Sequence, residues 1–185
     1  LEFDQPSDGE ADVLDFFAHC RARGWLDDGV IAGSERQARQ LWRLREDISE
    51  SLAAAKPIKH DIAVTLSRMP DFIRAMEALL AKVCPGLESI WFGHLGDGNI
   101  HLNVLPPVNA SDEDIATLAP DVTARVLATV ADFGGSISAE HGIGLLKKDY
   151  LHYSLSGAEI THLRQLKCLF DPKGVMNPGK VLISG

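Results

Sequence analysis

The chain has 185 residues, 45% hydrophobic and 24% charged, with a formal net charge of −8. That balance suits a single globular core, or a core with an appendage. It excludes a general nucleic-acid binder, whose phosphate contacts need clustered Lys and Arg. An anionic small molecule stays admissible, because a few local cations can outweigh the global sign. No stretch approaches the roughly 20 apolar residues of a membrane-spanning helix. No export signal is visible, so a cytoplasmic location is expected. Cys20, Cys84 and Cys168 are odd in number and far apart, without CxxC spacing. They read as free thiols in a reducing compartment.

Leu1-Glu2-Phe3-Asp4 reads as a strand already under way, with no initiator Met. Residues 9–23 carry Val13, Leu14, Phe16, Phe17 and Cys20 at helical spacing, with Gly24 as a stop. Val30-Ile31-Ala32 suggests a short strand. Ser34 then caps a helix expected to run to about Ala55, before Pro57. A strand is expected over 60–66, and a helix from Ser67 or Pro70 to about Val83, closed by Pro85-Gly86. Strands over 90–94 and 100–105 follow, the second stopped by Pro106-Pro107. Ser111 begins a helix to about Phe133, with acidic residues in its first turn as the helix dipole favours. A strand over 136–139 and a helix over 157–170 complete the elements. The tail holds Asp171-Pro172-Lys173-Gly174 and Asn177-Pro178-Gly179-Lys180, both rich in turn chemistry. The predicted class is α+β, an antiparallel sheet with helices packed on one face.

The segment Gly93–Asn103 is the most informative. Asp97-Gly98 between apolar stretches predicts a two-residue hairpin turn. Centred there, His94 falls directly opposite His101, with Asn103 two residues on and on the same face. Glu140-His141, at the end of the strand Ser136–Ala139 and before Gly142-Ile143-Gly144, offers a carboxylate and an imidazole together. Two His and one Glu suit Zn²⁺ with an open position, and Fe²⁺ or Mn²⁺ accept the same set. The plain alternative is that the two histidines only stack across the sheet. Arg45 and Ser49 are spaced i, i+4, with Lys59 on the next element. Together they could clamp a carboxylate, or Arg45 could join Glu46 and Asp47 in a solvated ion-paired face. His19, His152 and His162 have no partners at ligand spacing, and the role of His60 is open. No phosphate-binding glycine loop, dinucleotide fingerprint or nucleophile elbow occurs.

The hairpin, Ser136–Gly144 and Asp171–Lys180, with Leu41-Trp42-Arg43-Leu44-Arg45-Glu46 and Lys59-His60-Asp61-Ile62, resemble the C-terminal domain of FAD-linked oxidases. That family includes D-lactate, glycolate and D-2-hydroxyglutarate dehydrogenases, and the similarity is greatest to the last of these. The resemblance covers residues 1–185 and implies a ferredoxin-like fold. It implies His94, His101 and Glu140 as ligands of a divalent metal such as zinc, and His141 as the base. It implies Arg45, Ser49, Lys59 and Asn103 as substrate contacts, and Asn177 near the flavin. Ser49 stands where Thr is common, and His60 where Tyr is common. The implied reaction oxidises a D-2-hydroxy acid to the 2-oxo acid with FAD as hydride acceptor. An acceptor protein or quinone would then reoxidise the flavin, and a homodimer is admissible.

On this reading residues 1–185 form the substrate- and metal-binding domain. The FAD-binding domain lies outside the chain, so the chain alone is expected to hold little FAD and turn over poorly. Two other classes of function remain: a non-catalytic module that binds metal and metabolite or docks a partner, and a free-standing metallohydrolase, which no motif favours.

Overall fold

The computed structural model describes residues 9–182, which fall into two compact units divided between Ser51 and Leu52. The expected strand at Leu1–Asp4 lies outside the described residues.

In the first unit α1 (Gly9–Ala22) ends where Gly24 adopts φ +66°. Val30–Ala32 is not a strand: among the described residues no partner strand supplies its hydrogen bonds. Ser34 caps α2 (Glu35–Glu46), its side chain accepting from the Gln37 amide at 3.3 Å. The long helix expected to Ala55 is broken at Asp47 (φ −79°, ψ 0°), and α3 (Ile48–Ala53) follows. Asp47 Oδ2 also accepts from Arg43 Nε at 3.1 Å, an i, i+4 side-chain pair on the last turn of α2.

The second unit is built on three antiparallel strands, β1 (Ile58–Ala63), β2 (Ser89–His94) and β3 (Asn99–Val104), in the order β1-β3-β2. Helix α4 (Met69–Val83) links β1 to β2, and α5 (Asp112–Asp132) follows β3. The strand expected at Ser136–Ala139 is reduced to one antiparallel bridge, Ser136 with Ala63 on the free edge of β1. With that bridge as the fourth position, the order is that of a ferredoxin-like sheet. A glycine is needed at 135, where a Cβ would lie 2.4 Å from the Ala63 carbonyl oxygen.

One sheet face is apolar and carries the core. Ile58, Ile62, Ile100, Leu102 and Val104 meet Phe72, Met76 and Leu80 of α4 and Val122, Val126 and Val130 of α5. Spacings of three and four place each helical set on one stripe. Each such side chain contributes roughly 1.5–3 kcal/mol when fully buried. Ser111 caps α5 in a reciprocal box with Asp114. A 3₁₀ segment over Lys148–Tyr153 and α6 (Gly157–Phe170), capped by Ser156 and Glu159, complete the unit.

Candidate functional site

The opposite sheet face is polar. Lys59, Asp61 and Ala63 of β1 pair with Asn103, His101 and Asn99 of β3, and Ile90, Phe92 and His94 of β2 complete that face. The hairpin differs from the expected register. Leu95–Asp97 form a 3₁₀ turn and Gly98 takes φ +80°, so His94 pairs with Asn99 and His101 with Phe92. The slip is by two residues, which preserves the face. His94 and His101 therefore stand diagonally, with ring centroids 6.1 Å apart. The observed hairpin needs a glycine at 98, because a Cβ there would lie 2.0 Å from the Val64 carbonyl oxygen.

Ser136 leads into the loop that brings up the carboxylate. Glu140 Oε1 lies 3.2 Å from His101 Nε2 and 3.4 Å from His141 Nε2, and Glu140 Oε2 lies 3.7 Å from His94 Nδ1. His101 and His141 stack at 5.6 Å. Asn99 Nδ2 joins the cluster, 3.0 Å from Glu140 Oε2 and 3.1 Å from His94 Nδ1. The Asn99 Oδ1 atom is buried and has no protein partner. His101 is nearly enclosed, whereas His94 and His141 form an exposed rim with 54% and 68% of their side chains accessible.

Asp61 lies beneath the cluster, and sequence reasoning gave it no role. Its Oδ2 accepts from Ser138 Oγ at 2.8 Å and from the amides of Ala139, Glu140 and His141 at 3.1, 3.2 and 2.9 Å. Burial alone would raise its pKa. The His141 and Glu140 amides, the Ser138 hydroxyl and nearby Lys147 together hold it below the usual carboxylate range. His101 is lowered by burial, with Glu140 and Asp61 opposing. Lys147 is lowered by burial and donates to the carbonyls of Asp61 at 2.8 Å and Ile137 at 2.6 Å.

Asp61, His101, Glu140 and His141 each offer a donor atom within 4.8 Å of the others. His94 approaches the same carboxylate from the other side. Two donors each about 2.1 Å from a shared tetrahedral ion lie roughly 3.4 Å apart. The Glu140 separations of 3.2, 3.4 and 3.7 Å bracket that value, so the donor set fits a divalent metal.

The other candidate residues are more scattered. Asn103 is buried on the same face beside exposed Lys59. Arg45 and Ser49 belong to the first unit and sit on successive helices, on either side of the break at Asp47, rather than on one continuous helix. Asn177 lies on the tail with φ +46°, its side-chain oxygen accepting from Lys180 Nζ at 3.1 Å. His60 points to the core face, 3.2 Å from Thr123 Oγ1, and is 2% exposed. Asn99 could have been found from the sequence only with the correct hairpin register, and Asp61 only with the β1–β3 pairing.

Known proteins give the geometry its context. The chain is 44% identical over 98% of its length to D-2-hydroxyglutarate dehydrogenase of Stutzerimonas stutzeri, covering 39% of that protein. It is 46% identical over 93% of its length to the Xanthomonas citri pv. viticola enzyme of the same name, covering 36%. The mitochondrial enzyme of Bos taurus is 39% identical over 86% of the chain, which covers 28% of it. The chain thus spans well under half the length of these relatives. The family model for FAD linked oxidases, C-terminal domain, matches residues 1–181, and the chain belongs to that family.

Proposed function

We propose that the chain is the substrate- and metal-binding part of an FAD-dependent dehydrogenase that oxidises a D-2-hydroxy acid, with D-2-hydroxyglutarate as the leading substrate. The observation that carries this is the Glu140 carboxylate between His94, His101 and His141, in a chain 44–46% identical to two bacterial D-2-hydroxyglutarate dehydrogenases. His94, His101 and Glu140 would hold the metal, zinc by the nitrogen-rich donor set. A bound metal supplies Lewis acidity to a substrate oxygen, and FAD supplies the two-electron redox step.

The chain's own residues do the rest. His141, at the rim, takes the proton of the 2-hydroxyl at Nε2. Asn103 and Lys59, neighbours across β1 and β3, orient the substrate, with the Lys59 ammonium directed at a carboxylate. On the family pattern Arg45 and Ser49 also bind carboxylate, and Asn177 approaches the flavin. Residues outside 1–185 would hold most of the FAD. A final acceptor such as a quinone or an electron-transfer protein, and a homodimeric state, belong to the same proposal.

The three cysteines are free, which supports a reducing compartment, and we assign the cytoplasm. No described helix is long and apolar enough to cross a membrane.

The test is dye reduction by the intact protein with FAD, zinc and a panel of D- and L-2-hydroxy acids. Reduction with D-2-hydroxyglutarate, lost on chelation, is expected. Tight binding of metal and hydroxy acid without any dye reduction would overturn the dehydrogenase reading in favour of a binding module.

A further inference from the structure

Asp61, like Asn99, touches both halves of the donor cluster. Across the β1–β3 pair it sits directly opposite His101, with Oδ1 3.7 Å from His101 Nδ1. On the other side its Oδ2 gathers three successive backbone amides, residues 139–141, and the Ser138 hydroxyl. Successive amides converging on one anion form a nest, a geometry that binds negative charge through the backbone alone. Here the anion belongs to the chain itself, and the loop it organises carries Glu140 and His141.

A carboxylate oxygen with four donors has no lone pair left to offer a metal. What remains is Oδ1, which shares the Glu140 amide at a longer 3.4 Å and faces the Nδ1 edge of the His101 ring. The opposite edge, Nε2, faces Glu140 Oε1 at 3.2 Å. A ring whose two nitrogens face a buried carboxylate and a candidate metal position is polarised in one direction.

We infer that Asp61 is a positioning residue: its carboxylate holds the His101 proton on Nδ1, which leaves the Nε2 lone pair for the metal, while its other oxygen fixes the loop that presents Glu140. This rests on the metal reading proposed above, and goes beyond it by assigning Asp61 to orientation rather than ligation. An Asn in this place would reverse the pattern. Its amide oxygen would stay with the loop amides and its NH₂ would donate to His101 Nδ1, driving the ring proton to Nε2.

The test is ¹⁵N NMR of histidine-labelled, metal-free protein at pH 8, with the His101 signals assigned by their loss in His101→Gln. Wild-type protein should show the Nδ1–H tautomer, opposite to the one free histidine prefers in water. Asp61→Asn should switch it to Nε2–H and weaken zinc binding roughly 10–100-fold. Ser138→Ala, which leaves the carboxylate in place, should keep the wild-type tautomer, and this variant serves if Asp61→Asn does not fold. An Nε2–H tautomer in the wild-type protein overturns the inference. So does loss of zinc in Asp61→Asn with an unchanged tautomer, which would make Asp61 a ligand. Because the tautomer is read without metal, failure of the metal reading shows separately, as a wild-type protein that binds no zinc.

Discussion

The two faces of the β1-β3-β2 sheet are made from the same strands and obey opposite rules. The face toward α4 and α5 is apolar and closed, and its stability comes from packed volume. The other face buries Asp61, Asn99 and Asn103 and half-closes over His101. It is held by charge-assisted hydrogen bonds, and a buried polar atom left unpaired there, as Asn99 Oδ1 is, is costly. Adjacent positions on β1 show the contrast directly. His60 faces the core and keeps Nδ1 unpartnered, whereas Asp61 faces the site and takes four donors on one oxygen. The first face carries the fold and the second carries the chemistry, so substitutions on each should separate stability from binding.

The largest effect is expected in the core. Phe72→Ala should lower unfolding free energy by about 3–5 kcal/mol, as for a fully buried aromatic. Urea denaturation followed by circular dichroism measures it, and the protein that stays folded should bind zinc as the wild type does. Equal loss of stability and metal affinity would show that the faces are not separable.

Next comes His60. Burial, aided by the Lys147 charge, lowers its pKa from 6.5 to about 4. Between those values the unfolded state binds more protons than the folded one, so stability falls as pH drops from 6.5 toward 4. The loss reaches about 3 kcal/mol at the acid end. Unfolding free energies across that range should slope less steeply in His60→Leu than in the wild type, and parallel slopes would remove His60 as the cause.

On the polar face, His94→Ala should weaken zinc binding about 100-fold, equivalent to ~2.7 kcal/mol. Its exposed side chain means unfolding should change by no more than about 0.5 kcal/mol. Competition with a chromophoric chelator gives the first quantity and urea denaturation the second. The smallest change in stability belongs to Lys59→Ala, at an exposed strand position, with unfolding again within about 0.5 kcal/mol of wild type. Its KM for the hydroxy acid should rise while kcat is kept, as for lost uniform binding. Steady-state dye reduction measures it, and an unchanged KM would remove Lys59 from substrate binding.

Local signals carried much of this architecture in the sequence. Capping serines at 34 and 111, the Asp-Gly turn and the stripe Phe72, Met76, Leu80 locate elements without knowledge of the rest of the chain. What was illegible depends on distant pairing. The bridge from Ser136 to Ala63 replaces the strand expected over Ser136–Ala139 after the Gly134-Gly135 break. The hairpin brings Gly98 against the Val64 backbone, where a Cβ would not fit, an approach that turn chemistry alone does not reveal. The break at Asp47 is a change of backbone conformation (φ −79°, ψ 0°) that no Pro or Gly announces. Within the site, His94, His101, Glu140 and His141 were all visible as candidates because the hairpin face survives a two-residue slip. Asp61 and Asn99 were not, because each gains meaning only when β3 lies beside its partner strand.

The central claim is that the polar face holds a divalent metal through Glu140. Zinc content per chain, measured by elemental analysis after dialysis of the intact wild-type protein and of Glu140→Gln, tests it most directly. The account predicts close to one zinc per wild-type chain and almost none in the variant. Equal zinc content in the two proteins would contradict it.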